Sequence, residues 1–364
     1  MIERLPGLID PHVHLREPGA THKEDWDSGT KAGLAGGFTI LLAMPNTDPP
    51  ITSKKSFDMA LAAAENKSRL DYAQFFGASR DNSRSLGKIA TRAAGLKMYL
   101  DQTYGPLCLD DMTVWREHFL HWPGYLPITV HAERRTLAAV LLMSILYDKH
   151  VHICHVARRE EILLIKIAKE KGVKVTCEVS PHHLFLTEKD ISPESPGRGE
   201  VRPRLGNSKD RDALWENLEV VDCFATDHAP HTLEEKDSKD PPPGFPGLET
   251  ALFLFLTAVA QGKLTLDDVV LRMYTNPKKI YKLPNQYNTW LEVDPQPTWE
   301  IQGANTFTRC GWTPFEGWKV HGRLKKVTLR GKVAYDDGKV IAKPGSGVNI
   351  RKKGIILDKN LKNW

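Results

Sequence analysis

Eight short apolar runs, each followed by a longer segment, constrain the fold of this 364-residue chain more than any other feature. Two of the longer segments, 133–149 and 158–172, repeat apolar residues at helical spacing. This alternation is typical of βα units repeated around a parallel sheet. The runs lie at 7–15, 37–44, 71–78, 95–100, 127–132, 151–157, 173–179 and 221–229. Eight such units favour an α/β fold, the closed (β/α)8 TIM barrel, over an open sheet.

The pattern changes in the last quarter of the chain, which predicts a second, smaller unit. Residues 7–282 contain the eight runs and a final helical stretch, and they are expected to form the barrel. Short strands punctuated by proline and glycine follow, so we predict a small β appendage from residues 283–345, joined by residues 1–6. The basic, weakly patterned segment 346–364 is expected to be a linker-like tail.

Composition narrows the class of protein. Apolar residues make up 41% of the chain and charged residues 26%, as in an ordinary globular domain. The net charge of +5 comes from scattered basic residues, so neither a nucleic-acid nor a membrane partner is expected. The five cysteines are widely spaced, no apolar run reaches about 18 residues, and the first ten residues do not resemble a signal peptide. These features predict a cytoplasmic protein with free thiols.

Polar side chains that can bind metal ions collect at the ends of the predicted strands. In a (β/α)8 barrel the C-terminal strand ends form one rim, where the active site lies. Buried polar groups are costly unless they are paired, so packing alone does not explain the set. Its members are His12, His14, Lys97, His131, His155, Glu178 and Asp227.

The stretch DPHVHLREPG at 10–19 contains the pair His12 and His14. Residues i and i+2 of a strand point to the same face, so both imidazoles can bind one ion, although the pair alone also fits an ordinary alternating strand. His131, His155 and Asp227 at other strand ends favour the metal interpretation. Together the five residues predict a two-metal site, which lowers the pKa of bound water enough to give a nucleophile at neutral pH.

Lys97, in GLKMYL, is unusual at the buried end of a barrel strand. Its side chain could snorkel to the surface or pair with a carboxylate. Alternatively, a desolvated neutral amine beside two cations can take up CO₂, and the resulting carbamate would bridge two metal ions.

Nine motifs occur in order along the predicted barrel. They are HVHLR, MPNTDPP, GLKMYL, VHAE, HICHVA, CEVSPHHL, GEVRP, ATDHAPH and PPPGFPGLET. Together they resemble the dihydroorotases of the amidohydrolase superfamily, and in particular the dihydroorotase domain of the eukaryotic multifunctional pyrimidine-synthesis polypeptide. The resemblance covers residues 5–345.

The resemblance implies a reaction and a metal centre. The reaction is the reversible cyclisation of N-carbamoyl-L-aspartate to L-dihydroorotate and water, a step of de novo pyrimidine (UMP) biosynthesis that needs no redox cofactor. The implied ligands are His12, His14 and Asp227 for one Zn²⁺, and His131 and His155 for a second, with N6-carboxylated Lys97 as the bridge. For the eukaryotic domain a third Zn²⁺ near His12, Cys154 and Glu178 is also implied, although Cys154 fits a core thiol equally well.

Substrate contacts are implied in the same way. Carbamoyl aspartate carries two carboxylates, and guanidinium groups bind carboxylates through paired hydrogen bonds. Because surface arginines are usually only solvated, the assignment of Arg16 and Arg202 depends on the motifs. Asn46 and His231 complete the implied set of substrate-binding residues.

Two further roles are implied for residues near the reacting groups. Asp227 would take a proton from the nucleophile and hand it to the leaving nitrogen. Thr103 and Tyr104 lie in the loop after the fourth strand, where the family has a mobile lid with threonine followed by an aromatic residue. An ordinary βα loop is the alternative. Closure of a lid would exclude water while the ring forms.

Two other functions stay open at this point. Hydantoinases and dihydropyrimidinases share the barrel, the histidine pair and the lysine, but they bind neutral cyclic diamides and lack the equivalents of Arg16 and Asn46. An inactive scaffold domain would lack ligands, and none of the expected metal positions is substituted.

The family expectation is a homodimer, covalently linked to carbamoyl phosphate synthetase and aspartate transcarbamoylase domains. His182, His183 and His228 are expected to pack near the site rather than to bind metal.

Overall fold

A computed structural model describes residues 2–352 of the chain. The strands of this part are β1 Glu3–Pro6, β2 Leu8–Val13, β3 Phe38–Ala43, β4 Asp71–Gln74, β5 Phe76–Gly77, β6 Leu96–Tyr99, β7 Ile128–His131, β8 Val151–Ile153, β9 Val175–Val179, β10 Cys223–Phe224, β11 Trp290–Glu300, β12 Lys319–Leu329, β13 Lys332–Asp336 and β14 Lys339–Val340. The α-helices are α1 Trp26–Ala35, α2 Lys54–Lys67, α3 Met112–His121, α4 Arg135–Leu146, α5 Arg159–Glu170, α6 Pro181–Phe185, α7 Ser208–Glu216, α8 Leu233–Lys236, α9 Ala251–Ala260, α10 Leu266–Val270 and α11 Asn276–Ile280.

Strands β2 to β10 are parallel, and each of the eight predicted runs contains one of them or, in one case, two. The first sheet has the order β2-β3-β4, and the second pairs β5 to β10 in sequence order. The two sheets meet within one run, because only one residue separates β4 from β5. On the other side, Val13 bridges His228 in parallel, and His14 N donates to His228 O at 2.7 Å. The loop that follows the last parallel strand therefore lies beside the end of the first.

The parallel strands are buried along nearly their whole length. Every residue of β2 and β3 is buried, which matches apolar runs covered on both faces rather than an alternating pattern. A smaller apolar cluster packs among the strands and includes Ile9, Ile40, Phe75 and Tyr281. The Phe75 and Tyr281 rings meet edge to face with centroids 5.7 Å apart. This cluster therefore joins β2, β3 and the run that contains Phe75.

Several helices begin where the sequence supplies a cap. Asp25 caps α1 and Ser53 caps α2, and each accepts a backbone hydrogen bond from the third helical residue. Such caps satisfy amide groups that have no partner within the helix.

The second unit is a five-stranded antiparallel sheet with the order β1-β11-β12-β13-β14. The N-terminal strand pairs with the first strand of the C-terminal segment, with Glu3 opposite Val293 and Pro6 opposite Trp290. The two ends of the chain therefore share one sheet. None of the helices in the described part is long and apolar enough to cross a membrane.

The eighth predicted strand is much shorter than 221–229. Only Cys223–Phe224 pair with β9, and the DHAPH residues follow as a loop. Asp227 has φ +48°, a left-handed conformation that cannot continue a strand. Because Asp227 lies in a loop, the direction of its carboxylate is not set by the alternation of side chains along a strand.

The predicted linker-like tail at 346–364 is corrected in part. Residues 353–364 lie outside the described residues, so the prediction is not addressed there. Before that point, Tyr72 N donates to Val348 O and Ile350 N donates to Tyr72 O, at 3.0 Å each. Ile350 is buried in the smaller apolar cluster. These residues pack along β4 because their backbone groups and Ile350 find partners there.

Candidate active site

A narrow cavity lies at the C-terminal ends of the parallel strands and gathers most of the predicted site residues. The predicted residues that line it are His12, His14, Arg16, Asn46, Thr103, Tyr104, His131, His155, Arg202 and Asp227. The predicted residues behind its wall are Lys97, Cys154, Glu178 and His231. The structure thus brings together residues from strands that are far apart in sequence.

Two histidines and an aspartate converge on one point of this cavity. His12 Nε2 and His14 Nε2 lie 3.2 and 3.1 Å from the same oxygen, Asp227 Oδ1. The other ring nitrogens face acceptors, since His12 Nδ1 is 2.5 Å from Glu178 Oε1 and His14 Nδ1 is 2.6 Å from Asn46 Oδ1. Carboxylate and amide oxygens only accept. In a neutral ring whose proton lies on Nδ1, toward Glu178 or Asn46, the Nε2 lone pair faces Asp227. Two lone pairs and a carboxylate oxygen with no proton between them are a donor set that fits Zn²⁺.

A second pair of histidines lies beside the first group. The His131 and His155 ring centroids are 4.6 Å apart, with His131 Nδ1 3.0 Å from His155 Nε2. Glu133 Oε1 faces His131 Nε2 at 3.2 Å, which leaves the His131 lone pair on Nδ1. His155 Nδ1 is buried and has no hydrogen-bond partner among the described residues. His12, Cys154 and His155 also form a group whose ligand atoms lie within 4.8 Å of one another.

Lys97 is fully buried beneath these histidines. Its Nζ donates to Cys154 Sγ at 2.8 Å and lies 5.0 Å from the centroid of the Tyr99 ring. Within the described ranges no carboxylate forms an ion pair with it. A buried ammonium without a counter-ion is costly, so this environment suits a lysine whose amine carries a modification.

The charges of the site suit metal binding. Burial by itself raises the pKa of Asp227, but neighbouring His12, followed by His14 and His155, holds it well below its usual range. Burial lowers the pKa of His155, and neighbouring His131 lowers it further. Metal binding needs deprotonated ligands, and this environment favours an ionised Asp227 and a neutral His155.

Cys154 and Glu178 differ in their readiness to bind an ion. Burial raises the pKa of the Cys154 thiol well above its usual value, although Lys97 opposes this effect. Both oxygens of Glu178 are engaged, one by His12 Nδ1 at 2.5 Å and the other by His152 Nε2 at 3.0 Å. Glu178 therefore orients His12, in the way that carboxylates commonly orient metal-binding histidines.

Three residues of the site have left-handed backbone conformations. Arg16 has φ +59°, His155 has φ +33° and Asp227 has φ +48°. Such conformations are uncommon for residues other than glycine, asparagine and aspartate, and they cluster at functional sites. Here they turn the three side chains away from the strand direction and toward the cavity or its wall.

The cationic side of the cavity is built around Arg16. Its Nε donates to Pro230 O at 3.1 Å, and its Nη2 lies 2.9 Å from His231 Nε2. Arg202 lies in the loop before β10, where its Nη1 donates to Glu200 Oε2 at 2.7 Å. Both guanidinium groups reach the cavity wall, and Arg16 is the more deeply buried of the two.

The loop after β6 covers this side of the cavity. The Tyr104 ring meets His231 edge to face, with centroids 5.0 Å apart, and the Arg16 guanidinium carbon lies 5.2 Å from its centroid. Asn46 Nδ2 donates to Tyr104 O at 3.3 Å, so Asn46 contacts both this loop and His14. Thr103 lines the cavity beside Tyr104.

Sequence reasoning missed several residues that support the site. Lys23 is buried against His231, and His152 is buried against Glu178. His152 could have been found, because it lies two residues before Cys154 on a strand and so points to the same face. Lys23 lies in a loop without periodicity, and nothing in its sequence context indicates burial. His182, His183 and His228 make packing and backbone contacts near the site.

Comparisons with known proteins indicate the family to which this chain belongs. A family model described as dihydro-orotase-like matches residues 3–83. The multifunctional protein CAD of Squalus acanthias is 58% identical over 348 residues, which cover 96% of this chain and 16% of that protein. The dihydroorotase of Pyrococcus abyssi is 39% identical over 367 residues, which cover 96% of this chain and 87% of that protein. The chain therefore spans only a small part of its multifunctional relative but most of the Pyrococcus protein.

Solved structures show the same architecture. The L-hydantoinase (dihydropyrimidinase) from Arthrobacter aurescens has a TM-score of 0.90 at 23% identity, covering 96% of this chain and 89% of that one, which establishes a shared fold alone. The inactive dihydroorotase-like domain of a Chaetomium thermophilum CAD-like multifunctional protein has a TM-score of 0.83 at 29% identity, covering 96% and 99%. The match to the Pyrococcus dihydroorotase extends over most of both chains and confirms the resemblance carried by the nine motifs, so this chain belongs to the dihydroorotase family of cyclic amidohydrolases.

Proposed function

We propose that this chain catalyses the reversible cyclisation of N-carbamoyl-L-aspartate to L-dihydroorotate and water, in pyrimidine biosynthesis. One observation carries the proposal. Arg16 and Arg202 line the same cavity as the cluster of histidines and Asp227. Two guanidinium groups beside a hydrolytic centre suit a substrate that carries two carboxylates. Membership of the dihydroorotase family supports the same reaction.

The donor set supports a two-zinc centre. The residues that would hold the ions are His12, His14 and Asp227 for one and His131 and His155 for the other, with carboxylated Lys97 between them. When bound, the ions polarise a carbonyl oxygen and lower the pKa of a water molecule. The burial of Lys97 without a carboxylate partner in the described part of the chain supports the carbamate.

A third zinc near Cys154 is also proposed. Its support is the close approach of ligand atoms from His12, Cys154 and His155. Glu178 would have to exchange one of its two imidazole contacts to become a ligand, since both of its oxygens are engaged. Zinc analysis of the purified chain distinguishes two equivalents from three.

Asp227 is proposed as the proton carrier. In hydrolysis, water adds across the ring amide, the C–N bond breaks, and the carboxylate moves the proton from the attacking water to the leaving nitrogen. In cyclisation it removes the proton from the attacking nitrogen. Its position between His12 and His14, where its pKa lies below the usual range, keeps it ionised.

The cationic side of the cavity is proposed to bind the carboxylate groups of the substrate. Arg16, Arg202 and Asn46 supply donors at the cavity wall, and His231 takes part from behind the wall through its contact with Arg16. Thr103 and Tyr104 are proposed to close over the bound substrate, which would exclude water, the second product of cyclisation.

A hydantoinase-like function is the second candidate, because an L-hydantoinase has the same fold. A neutral cyclic diamide offers no carboxylate, so this candidate supplies no counter-ion to the buried Arg16 guanidinium. An inactive scaffold is a third possibility, but the residues proposed as ligands are all present and converge on the cavity.

The larger organisation is proposed from the same structure. The bridge between Val13 and His228 supports closure of the two parallel sheets into one (β/α)8 barrel over residues 7–282. The antiparallel sheet supports an appendage formed by residues 1–6 and 283–345.

Assembly and location are proposals as well. Two helices that contact each other, α4 and α5, carry exposed apolar residues, which supports a homodimer. These are Leu142, Ile145 and Leu146 of α4 and Leu163 and Ile167 of α5. The match to a multifunctional protein supports covalent linkage to carbamoyl phosphate synthetase and aspartate transcarbamoylase domains in a cytoplasmic enzyme.

The deciding experiment measures the reaction in both directions on the zinc-loaded chain, alongside metal analysis. We expect interconversion of carbamoyl aspartate and dihydroorotate, and little hydrolysis of hydantoin. Arg16→Gln should raise KM for the acidic substrates without improving the neutral one. A metal-replete protein that is inactive in both directions would exclude the proposal, and preference for hydantoin would favour the second candidate.

A further inference from the structure

Lys23 is a buried cation whose three N–H donors all face other groups of the protein. Its side chain is only 5% exposed. Its Nζ lies 2.9 Å from Glu235 Oε1, 3.0 Å from His231 Nδ1 and 3.3 Å from the Tyr104 hydroxyl oxygen. An ammonium group has three N–H donors and no lone pair, so each contact uses one donor. Lys23 therefore meets His231 only as a donor.

The His231 ring faces more donors than it can accept from. Its Nε2 lies 2.9 Å from Arg16 Nη2 and 3.1 Å from Pro243 O, while its Nδ1 faces Lys23. Burial lowers the pKa of His231 far below its usual value, and nearby Arg16 and Lys23 lower it further. The ring is therefore neutral, with one lone pair and one N–H. Arg16 and Lys23 cannot both donate to it.

The contact with Pro243 decides between the two arrangements. If Lys23 donates to a lone pair on His231 Nδ1, the ring proton lies on Nε2. It can then be donated to Pro243 O, which only accepts. Arg16 Nη2 then faces an N–H group and has no acceptor on His231. Arg16 stays anchored through its Nε bond to Pro230 O, so this Nη2 remains available at the cavity wall.

We propose that Lys23 is a positioning residue that sets the tautomer of His231 and thereby keeps Arg16 free to bind a substrate carboxylate. Which substrate carries that carboxylate depends on the proposed function, but the tautomer of His231 does not depend on it. Without Lys23 the ring can place its lone pair on Nε2 and accept from Arg16. Its Nδ1–H would then point toward Glu235 Oε2, which lies 3.7 Å away. Arg16 would be held by the protein instead of the substrate.

A purely structural role for Lys23 makes a different prediction. The ammonium also pairs with Glu235 and anchors the Tyr104 loop, and both contacts could matter for folding alone. Loss of those contacts would weaken the fold but would leave the proton of His231 where it is. The tautomer is therefore the readout that separates the two roles.

The test is nitrogen NMR of the zinc-loaded full chain labelled with ¹⁵N-histidine, without substrate. The signals that disappear in His231→Gln identify the ring. We expect a protonated Nε2 and a lone pair on Nδ1 in the unmodified protein, a reversed pattern in Lys23→Met, and the original pattern in Lys23→Arg. A proton on Nδ1 in the unmodified protein overturns the proposal even if the variants do not fold. An unchanged pattern in folded Lys23→Met also overturns it.

Kinetics connects the tautomer to binding. Lys23→Met should raise KM for N-carbamoyl-L-aspartate about tenfold or more, the size expected for one lost charge-assisted hydrogen bond, with a smaller change in kcat. Lys23→Arg should recover most of the loss. Lys31→Met, which removes a partly exposed lysine paired with Asp27, is the matched control. A reversed tautomer with unchanged KM would refute the link to Arg16. An inactive wild type with the expected tautomer would instead refute the proposed function.

Discussion

Replacement of Glu178 by glutamine tests how the site orients its histidines. The carboxylate is fully buried and accepts from His12 Nδ1 at 2.5 Å and from His152 Nε2 at 3.0 Å. In Glu178→Gln the amide oxygen can accept from only one of these N–H groups, and the amide NH₂ group meets the other. One charge-assisted hydrogen bond is therefore lost, worth about 1.5–3 kcal/mol, or roughly 10- to 100-fold in an equilibrium constant.

The loss should appear in metal binding. His12 presents its Nε2 lone pair toward Asp227 only while its Nδ1–H is held, so we expect zinc affinity and kcat/KM to fall by that factor. Competition with a chelator measures the affinity, and steady-state kinetics measures kcat/KM. If Glu178 also binds a third ion, one zinc equivalent is lost as well.

A second buried glutamate supplies the control. Glu161 accepts from Arg134 N at 2.9 Å and from Ala157 N at 3.3 Å, and its hydrogen bonds in the described ranges reach no proposed ligand. Glu161→Gln should leave zinc affinity unchanged. Folded Glu178→Gln protein with zinc affinity and kcat/KM within about twofold of wild type would refute the orienting role.

Three further predictions concern the bridge, the pH dependence of stability and the assembly. Lys97→Ala should abolish activity, with partial recovery when a short carboxylic acid is added, because the acid can replace the carbamate; full activity in the variant would contradict the bridge. Burial raises the pKa of Glu161 from 4.5 to about 7, so the folded protein binds a proton that the unfolded chain releases at a lower pH. As pH rises between these two values, the free energy of unfolding of wild type, measured relative to Glu161→Gln, should therefore fall by up to roughly 3 kcal/mol and then level off. Urea titrations across that range check it, and a difference that is constant with pH would contradict it. Ile145→Glu, on the exposed face of α4, should halve the mass seen by sedimentation, whereas an unchanged mass would place the dimer contact elsewhere.

Much of the fold and of the site could be predicted from local pattern. The apolar runs correspond to parallel strands because strands covered on both faces need apolar residues throughout, and β2 and β3 are buried along their whole length. The histidine pair could be placed on one face because side chains in a strand repeat every two residues. His12 and His14 indeed meet the same carboxylate oxygen.

Prediction failed where the backbone leaves regular conformations. The eighth strand was predicted as nine residues, but it ends at Phe224 and is followed by a left-handed Asp227. The tail was predicted as a linker from residue 346, yet Ile350 packs against the barrel strands. Both errors arise because turn conformation and docking depend on distant partners rather than on the local sequence.

The sequence by itself determined which residues reach the rim, since strand periodicity and the order of the motifs are local properties. Only the tertiary structure decided how those residues act on one another. Lys23 and His231 are 208 residues apart, and His12 and Glu178 are 166 apart. Their contacts exist because distant strands and loops are brought side by side at one rim, and the proton positions on the imidazoles follow from those contacts. A linear pattern can name the histidines, but the partner facing each ring nitrogen determines which nitrogen can bind an ion or a substrate.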